Sequence, residues 1–237
     1  MSVRVFAPPD SATRPGTRLI LDGEESHYLL KVRRQRVGAQ LQLLDGVGGS
    51  WSATLIAAGA RAEIEVGETL PGVQTPERVL LLGLPDAPAT LESLTLASEL
   101  AATEVVMVRC ARSQGRVPSA SRIERVLRAA QRQCGRPQPP AIFGVDEPWP
   151  LARALTHRAA LPGYFAWEAL READAGPPEE PHPRGVGLRL LIGPEGGLEE
   201  AEVAALRDAG FVPLSLGPWV LRTPTAVTAG LACLLRR

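Results

Sequence analysis

A chain of 237 residues, 45% hydrophobic and 22% charged, is long enough for one large domain or two smaller ones, each with its own core. Its 26 basic and 26 acidic side chains cancel, which excludes a tail or a fibre and leaves net charge silent about partners. The distribution says more. Between Arg109 and Arg136 stand eight arginines (109, 112, 116, 122, 125, 128, 132 and 136) against one acid, Glu124, a local face suited to an anionic polymer. Lys31 is the sole lysine, so nearly every cation is a guanidinium able to fork onto phosphate and stack on bases. Cys110, Cys134 and Cys233 lie far apart, and His27, His157 and His182 do not pair with them at metal-ligand spacing, so neither a metal site nor a disulfide framework is expected. The opening Met-Ser-Val-Arg-Val-Phe lacks a cationic segment followed by an apolar run, and no stretch reaches about 18 apolar residues. A cytoplasmic, soluble protein is the expectation.

In chain order, short alternating runs come first: 41–44, the turn Asp45-Gly46-Val47-Gly48-Gly49, then 51–56 and 62–66, which predict a small β-barrel or sandwich. Pro71-Gly72-Val73-Gln74-Thr75-Pro76 marks a boundary, giving domains 1–72 and 73–237. Beyond it the period changes. A buried strand at 79–84, a helix at 90–102 and a strand at 105–108 predict an α/β domain with a parallel sheet covered on both faces. A helix from Arg122 is expected to carry a Ser121/Glu124 capping box and to stop at Gly135. Its apolar face is Ile123, Val126, Leu127 and Ala130, leaving Arg122, Arg125 and Arg132 on the other side. Residues 177–184, rich in proline, read as an exposed loop, and no internal repeat is visible.

The chemistry concentrates near the C-terminus. An apolar strand at 186–192 leads into the tight loop Gly193-Pro194-Glu195-Gly196-Gly197 and a helix at 198–209, with Glu199, Glu200 and Glu202 in its first turn and Gly210 at its end. Strand, glycine loop and helix is the arrangement in which a parallel sheet holds nucleotides. The loop matches neither G-x-G-x-x-G nor a P-loop, and Glu195 argues against phosphate. A cationic or neutral adenosine compound such as S-adenosylmethionine fits better; by spacing alone, a turn without a ligand stays open. A second loop, Leu214-Ser215-Leu216-Gly217-Pro218-Trp219-Val220-Leu221-Arg222, precedes a C-terminal helix with Thr223 as its cap and Pro224 in its first turn, which places Arg222 at the helix entrance.

Together LLIGPEGGLEEAEV (190–203) and LSLGPWVLRTPTA (214–226) closely resemble the RsmE family, SPOUT-type methyltransferases acting on N3 of a uridine in 16S ribosomal RNA. The resemblance extends along the chain. His27-Tyr28-Leu29-Leu30-Lys31-Val32-Arg33-Arg34 and Leu43-Leu44-Asp45-Gly46 look like that family's PUA-like RNA-binding β-barrel, while Arg112-Ser113 and Gln133-Cys134-Gly135-Arg136 fall on its RNA-facing segments. It implies a C-terminal SPOUT domain with a deep trefoil knot, and a homodimer that completes each active site. S-adenosyl-L-methionine would lie against Ile192, Gly193, Pro194, Glu195, Gly196, Leu216, Gly217, Leu221 and Arg222, bordered by the strand 164–167 and Glu168. Arg222 would be catalytic; Lys31, Arg33, Arg34, Arg112, Ser113, Arg132, Gln133 and Arg136 would contact RNA, free or in the assembled small subunit, with no metal and no membrane.

The chain also departs from the family. Pro224 replaces an acidic residue and Trp219 an arginine; Leu84-Pro85-Asp86-Ala87-Pro88 stands where a lysine-glycine pair is usual, and Cys110-Ala111-Arg112 where Ser-Glu-Arg is. Two further readings follow from this. One is a SPOUT-fold RNA-binding protein with weak or lost catalysis, the other a methyltransferase for a different RNA uridine.

Overall fold

Alternation builds the first unit. In the computed structural model, which describes residues 3–8, 11, 13–167 and 185–235, β5 (Ala62–Thr69) buries Ala62, Ile64 and Val66 and leaves Glu63 and Glu65 partly exposed, the period of a sheet with one wet face. It pairs antiparallel with β4 (Ser50–Ala58) and β2 (Arg18–Ile20). β4 pairs in turn with β3 (Gln40–Leu44), and β3 runs parallel to β1 (Val3–Phe6), giving the order β1-β3-β4-β5-β2 around a core of Val5, Leu21, Leu29, Leu43, Leu55 and Ile64. The Asp-Gly turn between β3 and β4 works as its composition predicts: Asp45 Oδ1 accepts the amides of Val47, Gly48 and Gly49, while Gly46 and Gly48 take φ of 78° and 130°. α1 (Gly23–His27), capped by Asp22, runs into a π-helical turn at Tyr28–Val32. This unit comprises 1–74 together with 128–139.

The second unit, 75–127 with 140–237, is a parallel sheet. Its strands are β6 (Arg78–Gly83), β7 (Glu104–Arg109), β8 (Ala141–Phe143), β9 (Trp149–Pro150), β10 (Gly163–Ala166), β11 (Leu188–Ile192) and β12 (Phe211–Leu214), in the order β12-β10-β11-β6-β7-β8 with β9 on β7. Central β6 and β11 are apolar on both faces because helices cover both. Leu80, Leu82, Leu190 and Ile192 pack under α2 (Ala87–Glu99), the first half of α3 (Ala120–Cys134) and α6 (Thr223–Leu235). Val79, Leu81, Val106 and Leu191 pack under α4 (Leu151–Thr156) and α5 (Glu200–Asp208). Gly230 lets α6 lie close on β11, since a Cβ there would stand 2.8 Å from Leu190 Cδ2.

Several boundaries move. α3 begins before the expected Ser121/Glu124 box, with the Ser119 carbonyl accepting the Arg122 and Ile123 amides at 2.9 and 3.1 Å, though Gly135 ends it as expected at φ 83°. α6 begins at Thr223, so Arg222 rather than Thr223 holds the cap position, its carbonyl accepting the Ala226 amide at 2.9 Å. Strand β11 starts at Leu188 and not at 186, and the cap of α5 is Glu199. The loop expected at 177–184, and Glu168, lie outside the described residues. Among those described, no helix is long and apolar enough to cross a membrane.

The N-terminal ends of the parallel strands are closed by charge. Glu104, at the start of β7, meets His157 Nε2 at 2.5 Å and Arg158 Nε at 3.1 Å, and Arg158 also reaches Glu77 at 3.2 Å. Burial alone would push the Glu104 carboxyl up, but the Arg158 and His157 contacts outweigh it and leave it below the usual carboxylate range. Arg189 on β11 is 3% exposed and donates to the carbonyls of Leu155 and Leu161 at 2.7 and 3.0 Å, with its guanidinium 4.4 Å from the centre of the Phe211 ring.

Candidate active site

Three neighbouring parallel strands, β12, β10 and β11, end on the same edge of the sheet, and the segments leaving them enclose one cavity of about 180 Å³. Ligands of open α/β sheets sit at such carboxyl ends. From β10 come Ala166 and Trp167; from β11 come Ile192, Gly193, Pro194, Glu195, Gly196, Gly197 and Leu198; from β12 come Leu216, Gly217, Trp219, Val220 and Leu221, with Thr223 and Ala226 in the first turn of α6.

The glycine loop has that composition for steric reasons. A Cβ on Gly83, at the end of β6, would stand 2.9 Å from Pro194 Cδ, and one on Gly196 would stand 2.9 Å from Arg112 Cβ. Gly197 takes φ 72° and its amide closes a turn onto the Pro194 carbonyl at 2.9 Å. The opposite wall is held less. Gly217 takes φ 119°, its amide reaches Ser215 Oγ only at 3.5 Å, and Trp219 and Val220 are 80% and 77% exposed.

Of the residues anticipated around a cofactor, Ile192, Gly193, Pro194, Glu195, Gly196, Leu216, Gly217 and Leu221 all line this cavity. Arg222 does not. It is exposed next to the mouth, and its guanidinium meets no carboxylate among the described residues. Trp219, Val220, Thr223, Ala226, Gly197 and Leu198 join the lining beyond those anticipated; the last two are legible as neighbours of the glycine motif, whereas Thr223 and Ala226 depend on where α6 starts. The lining has neither lysine nor arginine, and its one charge is Glu195. Such a donor set suits a neutral or cationic nucleoside and opposes phosphate.

The residues expected to contact RNA stand in different surroundings. Lys31, Arg33 and Arg34 are exposed at the end of the π-helical turn, Arg34 at φ 51°, with no carboxylate on their cationic heads among the described residues. Arg33 borders a cleft with Arg4, Tyr28, Arg132 and Gln133. Arg132, expected on the solvated side of α3, instead turns into the first unit. It and Arg128 bind the fully buried Glu25, Arg128 at 3.2 Å, while Arg128 lies 4.3 Å from the Phe6 ring centre and Arg132 4.3 Å from that of Tyr28. Nothing local announces this contact, because its members are more than 100 residues apart. Gln133 gives its carbonyl to Arg4 at 2.6 Å, and that of Arg136 accepts from Gln131 at 3.4 Å. Arg112 donates to the Gly196 carbonyl at 3.0 Å, and Ser113 closes its own turn onto Cys110. Among the described residues no group of three His, Cys, Asp or Glu is gathered where a metal ion could sit.

Comparison with known proteins agrees with this architecture. The model of an RNA methyltransferase domain matches residues 74–235, and that of an RNA methyltransferase PUA domain matches residues 21–66. The ribosomal RNA small subunit methyltransferase E of Mycobacterium bovis is 33% identical over 231 residues, 94% of this chain and 87% of the relative. That of Synechocystis is 29% identical over 247 residues, 98% and 77% of the two chains. The crystal structure of ribosomal RNA small subunit methyltransferase E from Neisseria gonorrhoeae bound to S-adenosyl methionine superimposes with a TM-score of 0.82 at 24% identity, covering 100% of this chain and 98% of that one, and so shares its fold. The chain therefore belongs to the RNA methyltransferases of the ribosomal RNA small subunit methyltransferase E family.

Proposed function

We propose that the protein transfers a methyl group from S-adenosyl-L-methionine to N3 of a uridine in 16S ribosomal RNA, in the small-subunit decoding region. The observation that carries the reading is the cavity at the ends of β10, β11 and β12, built from the glycine loop with no cation for a phosphate. When bound there, S-adenosylmethionine supplies an electrophilic methyl on a positive sulfur. Ile192, Gly193, Pro194, Glu195, Gly196, Leu216, Gly217 and Leu221 would hold it.

The chain's own task is to make N3 a nucleophile. Loss of the N3 proton to water puts negative charge on O2 and O4 of the ring, and a fixed guanidinium aimed at those oxygens lowers the barrier. Arg222 stands between the lining residues Leu221 and Thr223, meets no carboxylate among the described residues, and is anchored by its backbone at the start of α6. Holding base and donor together supplies much of the remaining acceleration. Lys31, Arg33, Arg34, Gln133 and Arg136 of the first unit would contact RNA, as would Ser113 of the second; Arg132 shapes the cleft beside Arg33.

The strand order supports a trefoil knot in a SPOUT domain spanning 73–237, behind a PUA-like barrel at 1–72. Exposed Trp219 and Val220 beside the cavity support a homodimer that completes each site. A small-subunit substrate supports a cytoplasmic location. A second reading, an RNA-binding homologue with weak catalysis, is favoured by Arg222 lying outside the lining and by Pro224 and Trp219. Mass spectrometry of 16S rRNA from a deletion strain decides: 3-methyluridine in the decoding region should vanish, and its undiminished presence would remove the assignment.

A further inference from the structure

Residues 110–113 follow β7 as a tight turn, closed by the Ser113 amide on the Cys110 carbonyl at 3.1 Å and the Cys110 amide on Ser113 Oγ at 3.2 Å. This turn is fastened to the segment that follows β11 at three points. The Ala111 amide donates to Glu202 Oε1 at 2.9 Å, Arg112 Nη1 donates to the Gly196 carbonyl at 3.0 Å, and Arg112 Nε lies 3.6 Å from Glu199 Oε1. The other Glu202 oxygen accepts the Glu199 amide at 2.9 Å, so one carboxylate ties the turn to the start of α5. The surfaces are in close contact, since a Cβ on Gly196 would stand 2.9 Å from Arg112 Cβ.

Gly196 lines the cavity and Arg112 does not. A loop with glycine at 193, 196 and 197 has wide conformational freedom, and its own closure amounts to the single turn from Gly197 to Pro194. Whatever holds it in one shape lowers the ordering cost of binding. We propose that Arg112 is a positioning residue, a strut that holds the loop 193–197 in its receptive shape through the Gly196 carbonyl, and is not primarily an RNA phosphate contact. The proposal rests on the cavity being the methyl-donor pocket.

The test uses full-length protein with Arg112→Ala and Arg112→Lys. The Arg112 side chain is half exposed, so either substitution is expected to leave the fold intact. Four readouts are taken: S-adenosylmethionine affinity by calorimetry, hydrogen exchange of the loop amides 195–198 without cofactor, affinity for a 16S rRNA fragment as a function of salt, and the split between cofactor KM and kcat. Arg112→Ala should weaken cofactor binding roughly tenfold, as expected for a lost charge-assisted hydrogen bond, speed exchange at the loop, raise KM for the cofactor far more than it lowers kcat, and leave the salt slope unchanged. Arg112→Lys should recover part of the affinity, since an ammonium can still reach the Gly196 carbonyl. Unchanged loop exchange would overturn the strut. So would intact cofactor affinity with a salt slope reduced by about one, the mark of a lost phosphate contact. If the wild type bound no S-adenosylmethionine yet Arg112→Ala still loosened the loop, the cofactor reading would fail and the strut would stand.

Discussion

The two ends of the parallel sheet differ in how completely their polar groups are met. At the N-terminal ends Glu104 is matched by His157 and Arg158, and Arg189 by a set of backbone carbonyls. At the carboxyl ends the glycine loop is firmly held on one side, while the wall opposite exposes Trp219 and Val220 and offers Arg222 no carboxylate among the described residues. Both ends carry arginine, so residue type does not separate structure from function here. What separates them is whether the chain has already supplied the partner. A guanidinium surrounded by carbonyls of its own fold is committed, and one at a cavity mouth is available.

Breaking the closed end should produce the largest effect. Arg189→Ala removes charge-assisted hydrogen bonds to several part-buried carbonyls, with an expected loss of about 3 kcal/mol in denaturant unfolding, while the molecules that remain folded bind cofactor normally. Arg222→Ala should do the reverse, lowering turnover by about two orders of magnitude and leaving both the unfolding midpoint and cofactor affinity close to wild type. An unchanged rate would move the catalytic role to another group.

Glu104→Gln sharpens the contrast through pH. The folded carboxyl titrates below its unfolded value, so the stability it contributes is present above about pH 4.3, the ordinary glutamate value, and is lost as pH falls through the lower folded value. The variant should melt about 2–4 °C below wild type at pH 7, and the gap should close in acid; a constant gap would show the charge is not what Glu104 contributes. The smallest effect is chemical. Cys110, 2% exposed, has its thiol pushed up to about 12 by burial and then by neighbouring Glu202, whereas Cys233 is exposed. At pH 8 an alkylating reagent should modify Cys233 quickly and Cys110 only after unfolding, without loss of methyl transfer beforehand. Equal rates would mean that the carboxyl end is looser than described.

Much of this was legible in the sequence, and the gaps have physical causes. The apolar strands β6 and β11, and the glycine loop between β11 and α5, announce themselves because burial on both faces and steric closeness leave strong local patterns. The edge strands β1 and β2, only four and three residues long, carry too little pattern to be noticed. Helix starts slipped where serines or threonines offered competing caps, at Ser119 against Ser121 and at Arg222 against Thr223. The arginine-rich face from 109 to 136 was visible as composition, but composition could not say that Arg128 and Arg132 close on Glu25 or that Arg112 reaches Gly196, since those partners lie 84 to 107 residues away. Contacts across such separations exist only once the fold has formed.

The central claim is that the open carboxyl end of this sheet is a methyl-transfer site for ribosomal RNA. Its most direct test is methyl transfer from labelled S-adenosylmethionine to purified small ribosomal subunits, with the modified nucleotide mapped by digestion and mass spectrometry. Stoichiometric label is expected in 16S rRNA, recovered as 3-methyluridine and nearly abolished by Arg222→Ala. Absence of label with active, cofactor-bound protein, or label on a nucleoside other than uridine, would contradict it.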